Sequence, residues 1–248
     1  MKQDKRRKIS LISLSILMIF AAACTQTEAG SQNQFGQAEG GREKPSRPGT
    51  GSRTALQSTT TLTNAEIEGL QYMREEEKLA GDVYRFLYET WGSQIFQNIA
   101  ASEDMHTQAV LDVLNTYGIA DPASPEAGQF NHQDLQALYD ELAAIGSQSL
   151  EDALTVGTAI EEIDILDLEA RLAETENADI RRVYENLLRG SENHLRAFVR
   201  VLENQTGITA SPTYLPLDRY QAVIEGRNGM GGGRGNRGAG NGRGQGRN

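Results

Sequence analysis

The segment SEDMH at residues 102–106 places a glutamate and a histidine three positions apart. Residues three apart lie on one face of an α-helix, and this face otherwise carries apolar residues such as Phe96 and Val110. A carboxylate in an apolar interior is costly unless it is neutralised, paired or bound to a cation. Glu103 and His106 therefore predict a metal site in a helical core. The alternative for His106 is a hydrogen-bonded core histidine.

Two more polar residues interrupt apolar helical patterns in the same way. Glu77 occupies an inward position in register with Tyr84, and His194 lies on the apolar face of a later helical segment. The neighbours of Glu77 in the run REEEK, Glu75 and Glu76, are expected to be solvated charges. Acids and imidazoles that converge on one core suit iron, manganese or zinc as a shared cation.

A third acid is harder to choose, because the segment that carries it is apolar on nearly every side. We expect Glu162 to point inward, since Ala159 and Ile163 flank it, whereas Glu161 lies further from the mean apolar direction. Glu161 remains the alternative. The predicted metal ligands are Glu77, Glu103, His106, Glu162 and His194.

These side chains must be positioned by helices, because no stretch of the chain shows a convincing strand pattern. Four long periodic segments have Asn, Ser or Asp at their starts, and two have glycine just past their ends. Their predicted limits are residues 64–91, 94–117, 150–175 and 178–205, with a short helix over 133–144.

The connections between these helices predict the topology. The first and second helices, and likewise the third and fourth, are joined within a few residues, so each pair forms an antiparallel hairpin. About 30 residues separate the two pairs, which is enough to cross the length of a bundle. The sequence therefore predicts an all-α, ferritin-like four-helix bundle with one long crossover between the second and third helices.

The start of the chain has the form of a bacterial export signal. A basic segment, MKQDKRRK, precedes an apolar stretch too short to span a bilayer, followed by AAAC. The lone cysteine, Cys24, directly follows three alanines, as in a bacterial lipobox. We expect residues 1–23 to be removed and Cys24 to be lipidated, so that the protein is exported and anchored to a membrane of the cell envelope. The alternative is an ordinary signal peptide cut near Ala23.

Two low-complexity segments flank the predicted domain at residues 62–220. Residues 24–61 are rich in Gly, Ser, Thr and Gln and are expected to form a disordered linker. Residues 221–248 are expected to form a disordered tail rich in Gly and Arg. This tail could contact anionic polymers, but a solvated tail is the simpler interpretation, because arginine spacing alone reads no base sequence.

The charge distribution also limits the choice of partners. The net charge is −10, although the five arginines after residue 226 and the basic start both oppose it. The part between them is therefore strongly acidic, which argues against specific nucleic-acid binding. An acidic body is compatible with a protein that concentrates carboxylates around cations.

The first hairpin resembles that of rubrerythrins, bacterioferritins and other ferritin-like di-iron carboxylate proteins. The resemblance rests on EKLA beginning at Glu77, with Tyr84 seven residues later, and on Glu103-x-x-His106. The strings EEEKLAGDVYRFLYETWGSQIFQNIAASEDMH, ELAAIGSQSLEDALTVGTAIEEIDILDLE and YENLLRGSENHLRAF are more specifically similar to the bacterial and archaeal DUF2202 family. That resemblance covers roughly residues 65–205.

The resemblance implies a role for each candidate ligand. Glu77 would be a terminal ligand, Glu103 a bridging carboxylate, and His106 a ligand to the first metal ion. Glu162, or Glu161, would supply the carboxylate of the third helix, and His194 would bind the second ion.

One position departs from the superfamily pattern. A second Glu-x-x-His motif would need a glutamate at position 191, where this chain has Ser191. Glu192 is one residue out of register. Asp164, Asp167, Glu192 or a water molecule could compensate, or only one metal ion could bind.

Two functions follow from these observations. One is a dinuclear iron or manganese enzyme that reduces peroxide or oxidises Fe(II) with oxygen. The other is a metal-binding or interaction bundle with a degenerate site and no turnover, which the departure at position 191 favours.

Overall fold

The computed structural model describes residues 61–226. This part of the chain is all-α, with six helices and no strand. The helices are α1 Asn64–Trp91, α2 Gln94–Thr116, α3 Gln133–Gly146, α4 Leu150–Glu174, α5 Ala178–Thr206 and α6 Leu217–Ile224. The predicted signal peptide with Cys24, the linker through residue 60, and the tail from residue 227 lie outside the described residues.

Local capping explains where the helices begin and end. Thr63 and Glu66 form a reciprocal capping box at the start of α1, and the Asn177 side chain accepts two backbone N–H groups at the start of α5. Gly92 and Gly207 end α1 and α5 in the left-handed conformation, which favours glycine. The predicted limits of the four long helices and of α3 are confirmed to within about two residues.

Helices α1 and α2 pack against each other, and so do α4 and α5. The two pairs meet where α2 contacts α5 and α1 contacts α4, while α3 packs against α1 and α4. An apolar cluster near one end fills the space among the four long helices; it includes Leu70, Met73, Val110, Leu168 and Ile180. No helix within residues 61–226 is both long and apolar enough to cross a membrane.

The long segment between α2 and α3 is fastened to α1 by charged side chains. Glu75 accepts hydrogen bonds from the backbone N–H groups of Asn131 and His132, at 2.7 and 3.0 Å. Lys78 donates to the backbone carbonyls of Glu126 and Gln129. The interpretation of Glu75 as a solvated charge was therefore wrong, because its partners lie more than 50 residues away in the sequence.

The segment after α5 returns along α4 and α5. Leu215, Tyr220 and Val223 are buried against Ile165 and Leu195. Helix α6 continues to residue 224, past the predicted domain boundary at residue 220. This return brings the backbone of residues 213–215 close to α4, where it changes the role of one predicted ligand.

Candidate metal centre

Five acidic and histidine side chains from four helices meet in the interior. Glu77 comes from α1, Glu103 and His106 from α2, Glu161 from α4 and His194 from α5. They form two groups, in each of which the ligand-type atoms lie within 4.8 Å of one another. The groups are Glu77–Glu103–His106 and Glu103–Glu161–His194. Glu103 belongs to both.

The two oxygens of Glu103 face different histidines. Glu103 Oε2 lies 2.8 Å from His106 Nδ1, and Glu103 Oε1 lies 2.8 Å from His194 Nδ1. Glu77 Oε2 is 3.2 Å from His106 Nδ1, and Glu161 Oε2 is 3.5 Å from His194 Nδ1. The imidazole rings lie roughly parallel, with centroids 5.4 Å apart. This carboxylate therefore has the position of a bridge between two similar half-sites.

Several of these atoms are buried without hydrogen bonds. Glu77 Oε1, Glu103 Oε1 and His194 Nδ1 have no partner with suitable hydrogen-bond geometry among the described residues, although the last two atoms are close together. Buried polar atoms are normally satisfied, and each unsatisfied one needs an explanation. Oxygen and imidazole donors that converge with free lone pairs fit a divalent metal ion.

The charges of the metal-free cluster are strongly coupled. Burial would raise the pKa of Glu103, but the adjacent histidines outweigh burial and lower it to about 2. Burial opposes protonation of the histidines, but the surrounding carboxylates raise the pKa of His106 to about 11 and that of His194 to about 10. Burial raises the pKa of Glu77 to about 8. Protons thus occupy the place of cations when no metal is bound.

Two residues that the sequence analysis did not predict orient the histidines. Ser102 Oγ lies 3.0 Å from His194 Nε2, so that Nδ1 can keep a free lone pair toward the cluster. Gly190 packs against His106, since a Cβ at residue 190 would lie 2.5 Å from His106 Nε2. The signal for Ser102 was present in the sequence, because it precedes His106 by four residues on the same helix face.

Tyr84 also belongs to the centre, as its inward register predicted. Its hydroxyl donates to Glu161 Oε1 over 2.5 Å, and the ring packs against Phe96 and Phe198. Burial, together with the charge of Glu161, raises the pKa of Tyr84 well above its ordinary value. The tyrosine therefore stays protonated and orients the Glu161 carboxylate.

Glu162 was predicted as the ligand from α4, and the structure places it elsewhere. Its Oε2 accepts hydrogen bonds from the backbone N–H groups of Thr213, Tyr214 and Leu215, at 2.8, 2.7 and 3.0 Å. Glu161, the alternative, takes the position in the cluster. The prediction failed because α4 is buried on both sides, so that apolar neighbours did not mark its inner face.

An open cleft of about 240 Å³ reaches the centre at Glu77. Its walls come from α1, α2 and the segment after α2, and they carry charged or small residues without a large apolar side chain: Arg74, Lys78, Gly81, Asp82, Arg85, Asp104, Thr107, Ser124 and Pro125. The cleft holds about eight water molecules at roughly 30 Å³ each. It gives small polar molecules a path to one side of the cluster.

Comparison with known sequences identifies the family. Residues 66–227 match the family described as "Uncharacterized protein domain (DUF2202)", which covers more than half of the chain. The chain belongs to the DUF2202 family. All five residues of the cluster lie within the matched range.

A relative of this DUF2202 chain comes from an archaeon. "Uncharacterized protein MJ0754" of Methanocaldococcus jannaschii is 48% identical over 164 residues, which span 66% of this chain and 88% of the relative. A crystal structure of hypothetical protein MJ0754 matches with a TM-score of 0.65 and 47% identity, covering 66% of this chain and 94% of that chain. The match at this identity supports the same helical fold for both.

In this DUF2202 domain, the residues near position 191 take separate partners. Ser191 is fully buried, and its hydroxyl donates to Asp164. Glu192 is held by Arg219, whose Nη2 donates to Glu192 Oε1 over 2.6 Å. Asp167 lies beside Glu76 and Tyr72, and it accepts hydrogen bonds from both. Glu76 is therefore buried, and its interpretation as a solvated charge was wrong.

Proposed function

We propose that this protein is a ferritin-like metal-binding protein whose dinuclear iron centre carries out redox chemistry on peroxide or on Fe(II) and oxygen. The observation that carries the proposal is the pair of donor groups that share Glu103. A carboxylate with one oxygen toward each histidine suits two adjacent cations. Iron is preferred to manganese and zinc because the proposed chemistry is a redox reaction.

The helix arrangement supports the ferritin-like assignment. Two antiparallel pairs, α1–α2 and α4–α5, contact each other along their sides, and the segment with α3 connects them. We interpret this as a four-helix bundle with one long crossover. In such bundles, metal sites are built in the core from carboxylates and histidines on facing helices.

The proposed ligands divide between two ions. Glu77 and His106 would hold the first ion, Glu161 and His194 would hold the second, and Glu103 would contact both. Bound iron would supply the redox change and polarise the oxygen species that reacts.

The surrounding residues prepare the site for that role. Ser102 keeps Nδ1 of His194 directed at the cluster, and Tyr84 holds Glu161 by a short hydrogen bond. The cleft at Glu77 admits molecules of the size of peroxide or oxygen and is too small for a nucleotide or a flavin. Apolar packing of Tyr84 with Phe96 and Phe198 excludes water from the other side.

We also propose that the protein acts at the cell envelope. The proposal rests on the export signal and the lipobox-like AAAC that ends at Cys24. A lipid on Cys24 together with a linker to residue 61 would hold the domain near a membrane surface. Metabolic labelling with a fatty-acid analogue, compared between the wild type and Cys24→Ala, tests this part separately.

Anaerobic loading with Fe(II) tests the central proposal. The purified wild-type protein should bind two iron ions per chain, and exposure to oxygen or peroxide should change its optical spectrum. His194→Ala should bind fewer ions, whereas Asp104→Asn, which alters an exposed neighbour of Glu103, should bind as the wild type does. Binding of fewer than one ion per chain with no optical change would rule out the dinuclear centre.

A second candidate function is a metal-binding or interaction bundle that performs no turnover. Ser191 favours it, because the second half-site has a serine where the superfamily pattern has a glutamate. This candidate predicts bound metal without reaction with oxygen or peroxide. If His194→Ala changed neither the metal content nor the melting temperature, the site would be vestigial.

A further inference from the structure

The missing carboxylate at position 191 has a structural counterpart on the facing helix. Ser191 precedes His194 by three residues on α5, and Asp164 follows Glu161 by three residues on α4. Residues three apart share a helix face. The contact between Ser191 and Asp164 therefore lies one turn along from the contact between His194 and Glu161.

Asp164 is buried without the partners that a charged carboxylate needs. It is 6% exposed, and its Oδ1 has no hydrogen bond within residues 61–226. The Oδ2 atom accepts the Ser191 hydroxyl, which also lies 3.0 Å from the carbonyl oxygen of Leu187. Burial, reinforced by the charges of Glu77 and Glu161, raises the pKa of Asp164 well above its ordinary value. Asp164 thus lies close to acids of both half-sites.

The other acids near position 191 are engaged elsewhere. Glu192 accepts a hydrogen bond from Arg219, which also donates to Glu169 at 2.6 Å. Asp167 faces Glu76 rather than the cluster. Asp164 is the acid that the Ser191 side chain directly contacts.

We propose that Asp164 is the fourth carboxylate of the metal centre and that Ser191 orients it there. The inference rests on the proposed function. A serine in place of a glutamate shortens the side chain of α5, and an aspartate from α4 supplies the charge through the serine hydroxyl. Glu77, Glu103, Glu161 and Asp164 then carry four negative charges, which two divalent cations balance while both histidines are neutral.

Titration with Co²⁺ of the full chain tests this assignment, because bound Co²⁺ is followed by its visible absorption and by calorimetry. The wild type should bind two ions. Asp164→Asn should weaken one of the two ions by about 10- to 100-fold or more. Asp167→Asn is the matched control, since it alters a buried acid three residues further along α4, and it should leave both affinities unchanged.

The melting temperature of the metal-free protein separates a ligand from a structural acid. Asp164→Asn removes a buried acid with few partners, so we expect the metal-free protein to melt at the same temperature or higher. The stabilisation by Co²⁺ should become smaller. A fall of equal size in the metal-free and Co²⁺-loaded proteins would overturn the inference, since it would mean that Asp164 only supports the fold.

Exchange of the two positions gives a rescue. Ser191→Ala leaves the charge but loses its orientation, and should weaken binding by roughly 10-fold. Asp164→Asn combined with Ser191→Glu returns the carboxylate to α5 and should regain most of the affinity. If Asp164→Asn bound two Co²⁺ with wild-type affinity, the inference would fail while the dinuclear proposal stood. If the wild type bound no Co²⁺, both would fail.

Discussion

The two helix pairs contribute unlike halves to the same centre. The α1–α2 half has Glu77 with a Glu-x-x-His motif, and the open cleft reaches it. The α4–α5 half has Glu161 and His194 with a serine in the motif position, and aromatic rings close it off. Glu103 joins the halves. The difference indicates that one half admits small molecules while the other holds its ligands in a fixed, enclosed arrangement.

Loss of the shared carboxylate should remove the largest amount of binding. Glu103→Gln leaves each histidine without its nearest acid, so affinity should fall at both half-sites by more than about 100-fold. The metal-free protein should also lose about 3 kcal/mol of unfolding free energy, because two charged imidazoles stay buried with fewer partners. Co²⁺ titration and chemical denaturation measure the two effects.

The control for Glu103→Gln is the adjacent exposed acid. Asp104 forms a surface ion pair with Arg85, and surface pairs contribute at most about 1 kcal/mol. Asp104→Asn should therefore change neither quantity appreciably. If Glu103→Gln lost only one ion, the carboxylate would belong to a single half-site, and the comparison between two joined halves would fail.

A single methyl group should damage the α1–α2 half alone. In Gly190→Ala, the new Cβ would overlap the His106 ring, so the ring must move away from Glu77 and Glu103. We expect a loss of about 10- to 100-fold in affinity for one ion, with the second retained. Gly69→Ala is the control, because the nearest atoms there belong to the movable Arg171 side chain. Equal loss of both ions would show that the halves are not separable.

Removal of the Ser102 hydroxyl should affect the α4–α5 half more mildly. Ser102→Ala takes away the partner of His194 Nε2, so the imidazole loses a hydrogen bond that favours Nδ1 as the metal-binding atom. We expect roughly a 10-fold weaker second ion and a shifted pH dependence of binding. Ser102→Thr keeps the hydroxyl and should bind like the wild type. Unchanged binding in Ser102→Ala would mean that packing alone orients His194.

The pH dependence of the metal-free protein follows from the coupled charges. The folded-state pKa values of His106 and His194, about 11 and 10, exceed the ordinary value of 6.5. Their stabilisation is complete below pH 6.5 and is lost as pH rises through 10 to 11. The pKa of Glu103, about 2, lies below the ordinary 4.5, so its contribution is present above pH 4.5 and disappears as pH falls toward 2.

Metal binding should reverse the upper part of this profile. Ligand histidines must be neutral, so cations compete with protons and bind more tightly as pH rises. We expect the melting temperature in chelator to fall by a few degrees between pH 6 and 9, while the shift caused by Co²⁺ grows. Scanning calorimetry at several pH values measures both. A chelator-treated protein that became more stable over this range would contradict the protonated cluster.

Helix limits and most inward residues could be predicted because their signals are local. Caps and glycines mark the helix ends, and an apolar stripe marked Glu77, Glu103 and His194 on helices with one solvated side. Helix α4 has no solvated side over most of its length, so the sequence did not distinguish Glu161 from Glu162. That choice depends on backbone donors 50 residues later.

The three consecutive glutamates of α1 illustrate the same limit. Glu75 holds the backbone at residues 131–132, Glu76 lies beside Asp167, and Glu77 joins the cluster. Only the last could be assigned from helical register. The partners of the other two come from distant segments, and a charged run gives no indication of them.

The contact that holds Glu162 has a consequence for how freely the C-terminal segment can vary. Main-chain amides of residues 213–215, and not their side chains, receive the carboxylate. Substitutions at these three sites can therefore accumulate without loosening this attachment next to Glu161. Proline is the exception, since it has no amide hydrogen to offer.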